Sequence, residues 1–194
     1  MPVTSTTPHA SYCAIDFGTS NSAIAVPSAR GMELVPLEPG RGERGRTMPT
    51  AVFYLAEGPD LVNLPRLFGR AAVQAYVDGT DGRLMRSMKS VLGSALMEQH
   101  TDIGAGRSVA FGDVIAGYLR HLKRAAEDHA GAGIDRVVLG RPVYFVDDDA
   151  QRDAAAQAGL EAAARAVGFD EVHFQYEPIA AAFHYEAQVA REET

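Results

Sequence analysis

The chain has 194 residues, of which 46% are hydrophobic and 22% charged, with a net charge of −7. That length suits one domain or two small subdomains with a buried core, and the acidic balance excludes an electrostatic footprint for nucleic acid or anionic membrane. The single cysteine, Cys13, excludes an internal disulfide and a multi-cysteine zinc site.

Residues 1–11 are polar and contain Pro2 and Pro8, so a flexible tail is expected there. They lack a basic n-region and an apolar h-region, and no apolar stretch is long enough to span a bilayer; a cytoplasmic location is expected. Strands are expected over 12–16 and 22–26, joined as a hairpin through Asp16-Phe17-Gly18-Thr19-Ser20-Asn21-Ser22. Cys13 lies in the first apolar run, as a buried thiol would. Gly18 offers positive φ and close backbone approach, Thr19, Ser20 and Ser22 offer hydroxyls, and Asp16 can hold a metal through water. The same stretch also reads as an ordinary capped turn.

A third strand is expected over 32–37, and the arginine-rich loop 38–46 is read as solvated. Strands over 50–55 and 66–68 follow, with a breaker-rich loop between them, and then a helix over 70–77. Residues 83–93 suit a short helix or an extended piece carrying Lys89, and the Gly-rich stretch 101–108 is expected to be flexible. Lys89 and Lys123 are the only lysines among 18 basic residues, so Lys89 stands against an arginine bias.

The second half has stronger periodicity. A helix over 111–129 places Val114, Ile115, Tyr118, Leu119 and Leu122 on one face and stops at Gly131. A buried strand over 134–140 leads into Arg141-Pro142. Asp147 to Asp149 can cap a helix over 150–167, ended by Gly168. A strand over 171–176, Glu177, Pro178 and a last helix over 179–191 complete the order. Helices alternating with buried strands imply an α/β fold with a mixed sheet flanked by helices and joined by right-handed crossovers.

No G-x-x-x-x-G-K-[ST] motif occurs, Gly131-Ala132-Gly133 lies between helix and strand in the wrong order for a dinucleotide loop, and no G-x-S-x-G elbow is present. What remains are Asp16, Pro142 and Glu177 at strand carboxyl ends, where such sheets bind ligands. Glu177 alone also suits a helix cap, and Lys89 alone suits a solvated surface.

Seven segments in order resemble the nucleotide-binding domain of the seventy-kilodalton heat-shock chaperone (DnaK-like) family, within the actin-like ATPase superfamily. They are Asp16 to Ser22, Arg46-Thr47-Met48-Pro49-Thr50, Arg66 to Ala72, Lys89-Ser90-Val91-Leu92-Gly93, Arg141 to Phe145, Ala150-Gln151-Arg152 and Tyr176 to Ala182. The resemblance implies a ribonuclease H-like core over 12–50 and 113–194 with a small inserted α/β subdomain over 51–112, together forming lobe I of that domain. It implies ATP or ADP with Mg²⁺ as ligands. Gly18, Thr19, Ser20 and Ser22 would hold phosphate, Asp16 would hold Mg²⁺ through water, and Lys89, Glu177 and Asp16 would be catalytic. Pro142 and Arg152 resemble residues that relay nucleotide state to a substrate domain. Expected partners are the nucleotide, a second lobe in cis and client or co-chaperone proteins, with no nucleic acid or membrane.

Ser20 in place of threonine, Tyr176 in place of asparagine and Gly140-Arg141 before Pro142 depart from the common pattern and resemble the bacterial YegD-like branch. The second lobe and the substrate-binding domain are absent from the 194 residues, so a fragment not competent alone is expected. A sugar-kinase relative and a non-enzymatic actin-like scaffold are the alternatives.

Overall fold

A computed structural model describes residues 12–57, 65–104 and 106–180. Its elements in chain order are β1 (Tyr12–Phe17), β2 (Asn21–Ser28), β3 (Gly31–Leu34), β4 (Met48–Pro49), β5 (Ala51–Leu55), β6 (Arg66–Phe68), α1 (Gly69–Val77), β7 (Gly82–Arg86), β8 (His100–Gly104), β9 (Arg107–Ala110), α2 (Phe111–Ala130), β10 (Arg136–Arg141), α3 (Ala150–Ala166) and β11 (Glu171–Tyr176). Residues 177–180 take helical geometry. The tail over 1–11 and the last helix beyond residue 180 lie outside the described residues.

The main sheet has six strands in the order β11-β10-β1-β2-β3, with β4 paired to β2. β1, β10 and β11 run parallel, while β1, β2 and β3 form an antiparallel meander. Strand alternation separates two faces. Cys13, Ile15, Phe17, Ile24, Val137 and Leu139 point to one face and are at most 2% exposed. Ile115, Tyr118, Leu119 and Leu122 of α2 and Leu160 of α3 belong to the same core cluster. Burial pushes the Cys13 thiol up to about 12, as an inert core thiol requires.

Local chemistry fixes the helix ends. The Asp149 carboxylate accepts the Arg152 N–H at 2.9 Å, capping α3. Gly131 ends α2 in the left-handed region at φ 66°. No helix among the described residues is long and apolar enough to cross a membrane.

A second, antiparallel sheet in the order β6-β5-β7 packs α1 against its own small cluster of Ala51, Phe53, Ala72 and Ala75. The expectation of a flexible stretch over 101–108 is corrected: β8 and β9 form a hairpin. Thr101 and Ile103 alternate into the interior, and the glycines at 104 and 106 take φ of 94° and 70° at the turn. The Arg107 guanidinium donates to the Leu55 and Ala56 carbonyls at 2.9 and 2.6 Å, tying the hairpin to β5. Residues 83–93 combine both expected forms, with β7 followed by a 3₁₀ turn over Met88–Val91. The third strand stops at Leu34, although Val35 and Leu37 remain buried beyond it.

Candidate functional site

The β1–β2 register pairs Asp16 with Ala23 and Phe17 with Ser22. Directly paired residues share a face, so Asp16 projects from the face opposite α2 and α3 while Ser22 joins Phe17 in the interior. Ser22 is 1% exposed, and its hydroxyl shares a 2.8 Å hydrogen bond with that of Thr50. The expectation that Ser22 holds phosphate is therefore corrected: its hydroxyl braces the turn from inside.

Gly18 also serves for a different reason than expected. It is absent from the residues with positive φ; a Cβ there would stand 2.3 Å from the Asn21 carbonyl oxygen. The turn is so tight that a side chain collides across it. Thr50 latches this turn, its hydroxyl donating to the Gly18 carbonyl at 2.8 Å and its N–H to the Ser20 carbonyl at 2.9 Å. Tyr118 supports the latch by donating to the Pro49 carbonyl at 3.1 Å. Thr19 and Ser20 remain exposed on the outside of the turn.

Lys89 reaches the strand ends from the second sheet. Ser87 adopts a left-handed conformation at φ 53° and turns the chain out of β7 into the 3₁₀ turn. Gly93 then passes so close to α3 that a Cβ would lie 2.3 Å from the Arg152 carbonyl oxygen, at a φ of 70°. Between these two points Lys89 Nζ donates to Glu177 Oε1 at 2.7 Å, bridging 88 residues of sequence. The Lys89 side chain is 11% exposed and Glu177 39%. Asp16 is close enough to feel both. Crowding by protein pushes its carboxyl above the usual range, Glu177 adds to the push, and Lys89 opposes it. The residue is nevertheless exposed, which keeps the effect modest. Gly140 opens the space between them, since a Cβ there would touch Glu177 Cγ at 3.5 Å and Asp16 Cα at 3.8 Å. Asp16, Gly140 and Glu177 line one end of an open concavity of about 460 Å³ whose remaining walls include Ala14, Ala23 and Val138.

Pro142 and Arg152 lie on the flank of this site. Arg152 Nε donates to the Gly93 carbonyl at 3.4 Å, linking α3 to the Lys89 segment. Pro142 offers its carbonyl to Arg141 Nε at 3.1 Å. Sequence reasoning brought Asp16, Lys89 and Glu177 into one site and missed Thr50, Tyr118 and Arg141. Thr50 lies inside a motif already singled out, but its bond to a turn 32 residues away has no local signal.

The family described as Hsp70 protein matches residues 61–193. Among similar proteins, the chaperone protein DnaK of Thermosipho melanesiensis is 33% identical over 172 residues, an alignment covering 88% of this chain and 25% of that protein. The chaperone protein DnaK of Burkholderia cenocepacia is 30% identical over 187 residues, covering 81% of this chain and 27% of that protein. The chain thus spans about a quarter of the length of the curated relatives it matches.

Proposed function

Because this chain belongs to the Hsp70 family and has its actin-like ATPase fold, we propose that its open sheet edge binds the phosphates of ATP and contributes to their hydrolysis. The 2.7 Å pair between Lys89 and Glu177 beside Asp16 carries this reading. Three charged groups from distant segments converge at the strand ends. Phosphoryl transfer is mostly positioning and charge stabilisation. Thr19 and Ser20 hold the phosphates through hydroxyl and backbone donors on the exposed side of the turn. Lys89 neutralises the terminal phosphate, and Glu177, released from its ion pair, orients the attacking water. Each charge-assisted contact is worth about 1.5–3 kcal/mol. Pro142 and Arg152 report the state of the site to other parts of the protein.

Mg²⁺ typically takes one or two carboxylates, several waters and phosphate oxygens. Asp16 and Glu177 fit that demand as two carboxylates, with water and phosphate oxygens left to complete the shell. When bound, the ion supplies charge neutralisation at the phosphate oxygens. We read residues 12–50 and 113–194 as the core of lobe I and 51–112 as its insertion. Within the family we assign the chain to the YegD-like branch, on Gly140-Arg141-Pro142 and Phe174-Gln175-Tyr176-Glu177-Pro178.

Among the described residues the site is one open face, so a bound nucleotide keeps much of its surface in water and affinity near 1 mM, about −4 kcal/mol, is expected. NMR titration of this chain with Mg-ADP tests the assignment. The amides of Gly18, Thr19 and Ser20 should shift at millimolar nucleotide while those of Gly131 and Gly168 stay still. Unmoved hairpin amides at roughly ten times that concentration would refute it.

A further inference from the structure

We propose that Arg141 is a positioning residue for the Lys89–Glu177 pair. The inference rests on the phosphate-chemistry reading of that pair. Arg141 closes β10 and is 8% exposed, one of few charged or polar residues buried to that degree among those described. Four of its five N–H donors are engaged. Nε donates to the Pro142 carbonyl at 3.1 Å, and Nη2 donates to the Val143 carbonyl at 3.2 Å and to the Asp153 carboxylate at 2.9 Å. Nη1 donates to the Gln157 side chain.

This guanidinium lies over two rings. Its central carbon is 5.2 Å from the Phe145 centroid and 5.1 Å from that of Tyr176. Each ring leads to one member of the pair. Lys89 Nζ sits 5.8 Å from the Phe145 centroid, and Tyr176 is the covalent neighbour of Glu177. Asp153 closes the arrangement by accepting the Phe145 N–H at 2.6 Å through its other oxygen. One rigid, planar cation thus fixes both the ring beneath the ammonium and the backbone that presents the carboxylate. A lysine at 141 would keep the charge and lose the flat, forked geometry. Arg141 and Tyr176, read separately from the sequence as departures from the common family pattern, are in contact and form one unit.

The two lysines of the chain make the test selective. Acylation by an amine-reactive ester, followed by mass spectrometry, gives the modification rate of Lys89 relative to Lys123, which has its own partner in Glu127. The readout needs no nucleotide, so it stands apart from whether the site binds nucleotide phosphates; the Mg-ADP titration decides that separately. In Arg141→Met the Lys89:Lys123 rate ratio should rise about tenfold, the loss of one hydrogen bond to a charged group. Arg141→Lys should give a smaller rise, and Tyr176→Phe, which keeps the ring, should match the wild type. An unchanged ratio in Arg141→Met overturns the proposal. So does a parallel rise at both lysines in Arg141→Met and Arg141→Lys, which would make Arg141 a support of the whole fold rather than of the pair.

Discussion

The two faces of the main sheet come from the same strands and do opposite work. Cys13, Ile15, Phe17 and Leu139 fill the covered face and are nearly inaccessible, whereas Ala14, Asp16, Ala23, Val138 and Gly140 line the open one. The covered face holds large side chains packed against α2 and α3. Among the described residues the open face holds mostly small ones, two carboxylates at its edge and room beside them. Bulk on one face supplies stability, and the small side chains described on the other are where we propose the nucleotide phosphates bind. The β1–β2 turn joins these functions, because Thr50 and Ser22 hold it from the covered side while Asp16, Thr19 and Ser20 face outward.

This contrast breaks most visibly in paired truncations. Leu139→Ala should destabilise the chain by about 2–5 kcal/mol through lost burial and a cavity. Its neighbour Val138→Ala, on the open face, should cost about 1 kcal/mol or less; urea denaturation compares the two. Equal losses would mean that the open face also carries core energy. Thr50→Val, which preserves shape, should cost about 1–3 kcal/mol by stripping partners from the Gly18 carbonyl and the Ser22 hydroxyl. The same measurement checks it, and the hairpin amides should broaden in NMR spectra.

Smaller effects appear on pH titration. Asp153 sits below the usual carboxylate range because of the Phe145 N–H and then the Arg141 guanidinium. The stability it contributes is present above its ordinary value and is lost as pH falls through the lowered one. Asp16 has the reverse sign. Between its ordinary and raised values the folded state holds more protons, so its contribution weakens as pH rises through that window. Stability curves of Asp153→Asn and Asp16→Asn against the wild type should therefore deviate in opposite senses, the former by losing the acid-sensitive contribution and the latter by losing the opposing one.

Much of this was legible in the sequence, and the misreadings have physical causes. The periodicity of α2, the Asp149 cap and the strand before Glu177 were all local signals. The parity of Ser22, Ile24 and Val26 also contained the face on which Ser22 lies, but a hydroxyl beside a glycine turn suggested a ligand instead. Gly104 and Gly106 suggested flexibility where they form the turn of a hairpin anchored by Ile103 and Arg107. Arg141 was hidden by its charge. Nothing local says that a guanidinium will be buried when its partners, Asp153 and Gln157, arrive from the next helix and its rings come from Phe145 and Tyr176.

The division of labour between the faces is tested most directly at Asp16, by the melting temperature of wild type and Asp16→Asn with and without Mg-ADP. Saturating the wild type at about ten times its dissociation constant should stabilise it by about 1.4 kcal/mol. Without nucleotide, Asp16→Asn should melt slightly higher than the wild type at neutral pH, by about 0.5 kcal/mol or less because the carboxyl is exposed and screened. With nucleotide, it should lose most of the rise. An Asp16→Asn chain that melts lower when free, or that keeps the full nucleotide-dependent rise, contradicts the assignment of the open face to phosphate binding.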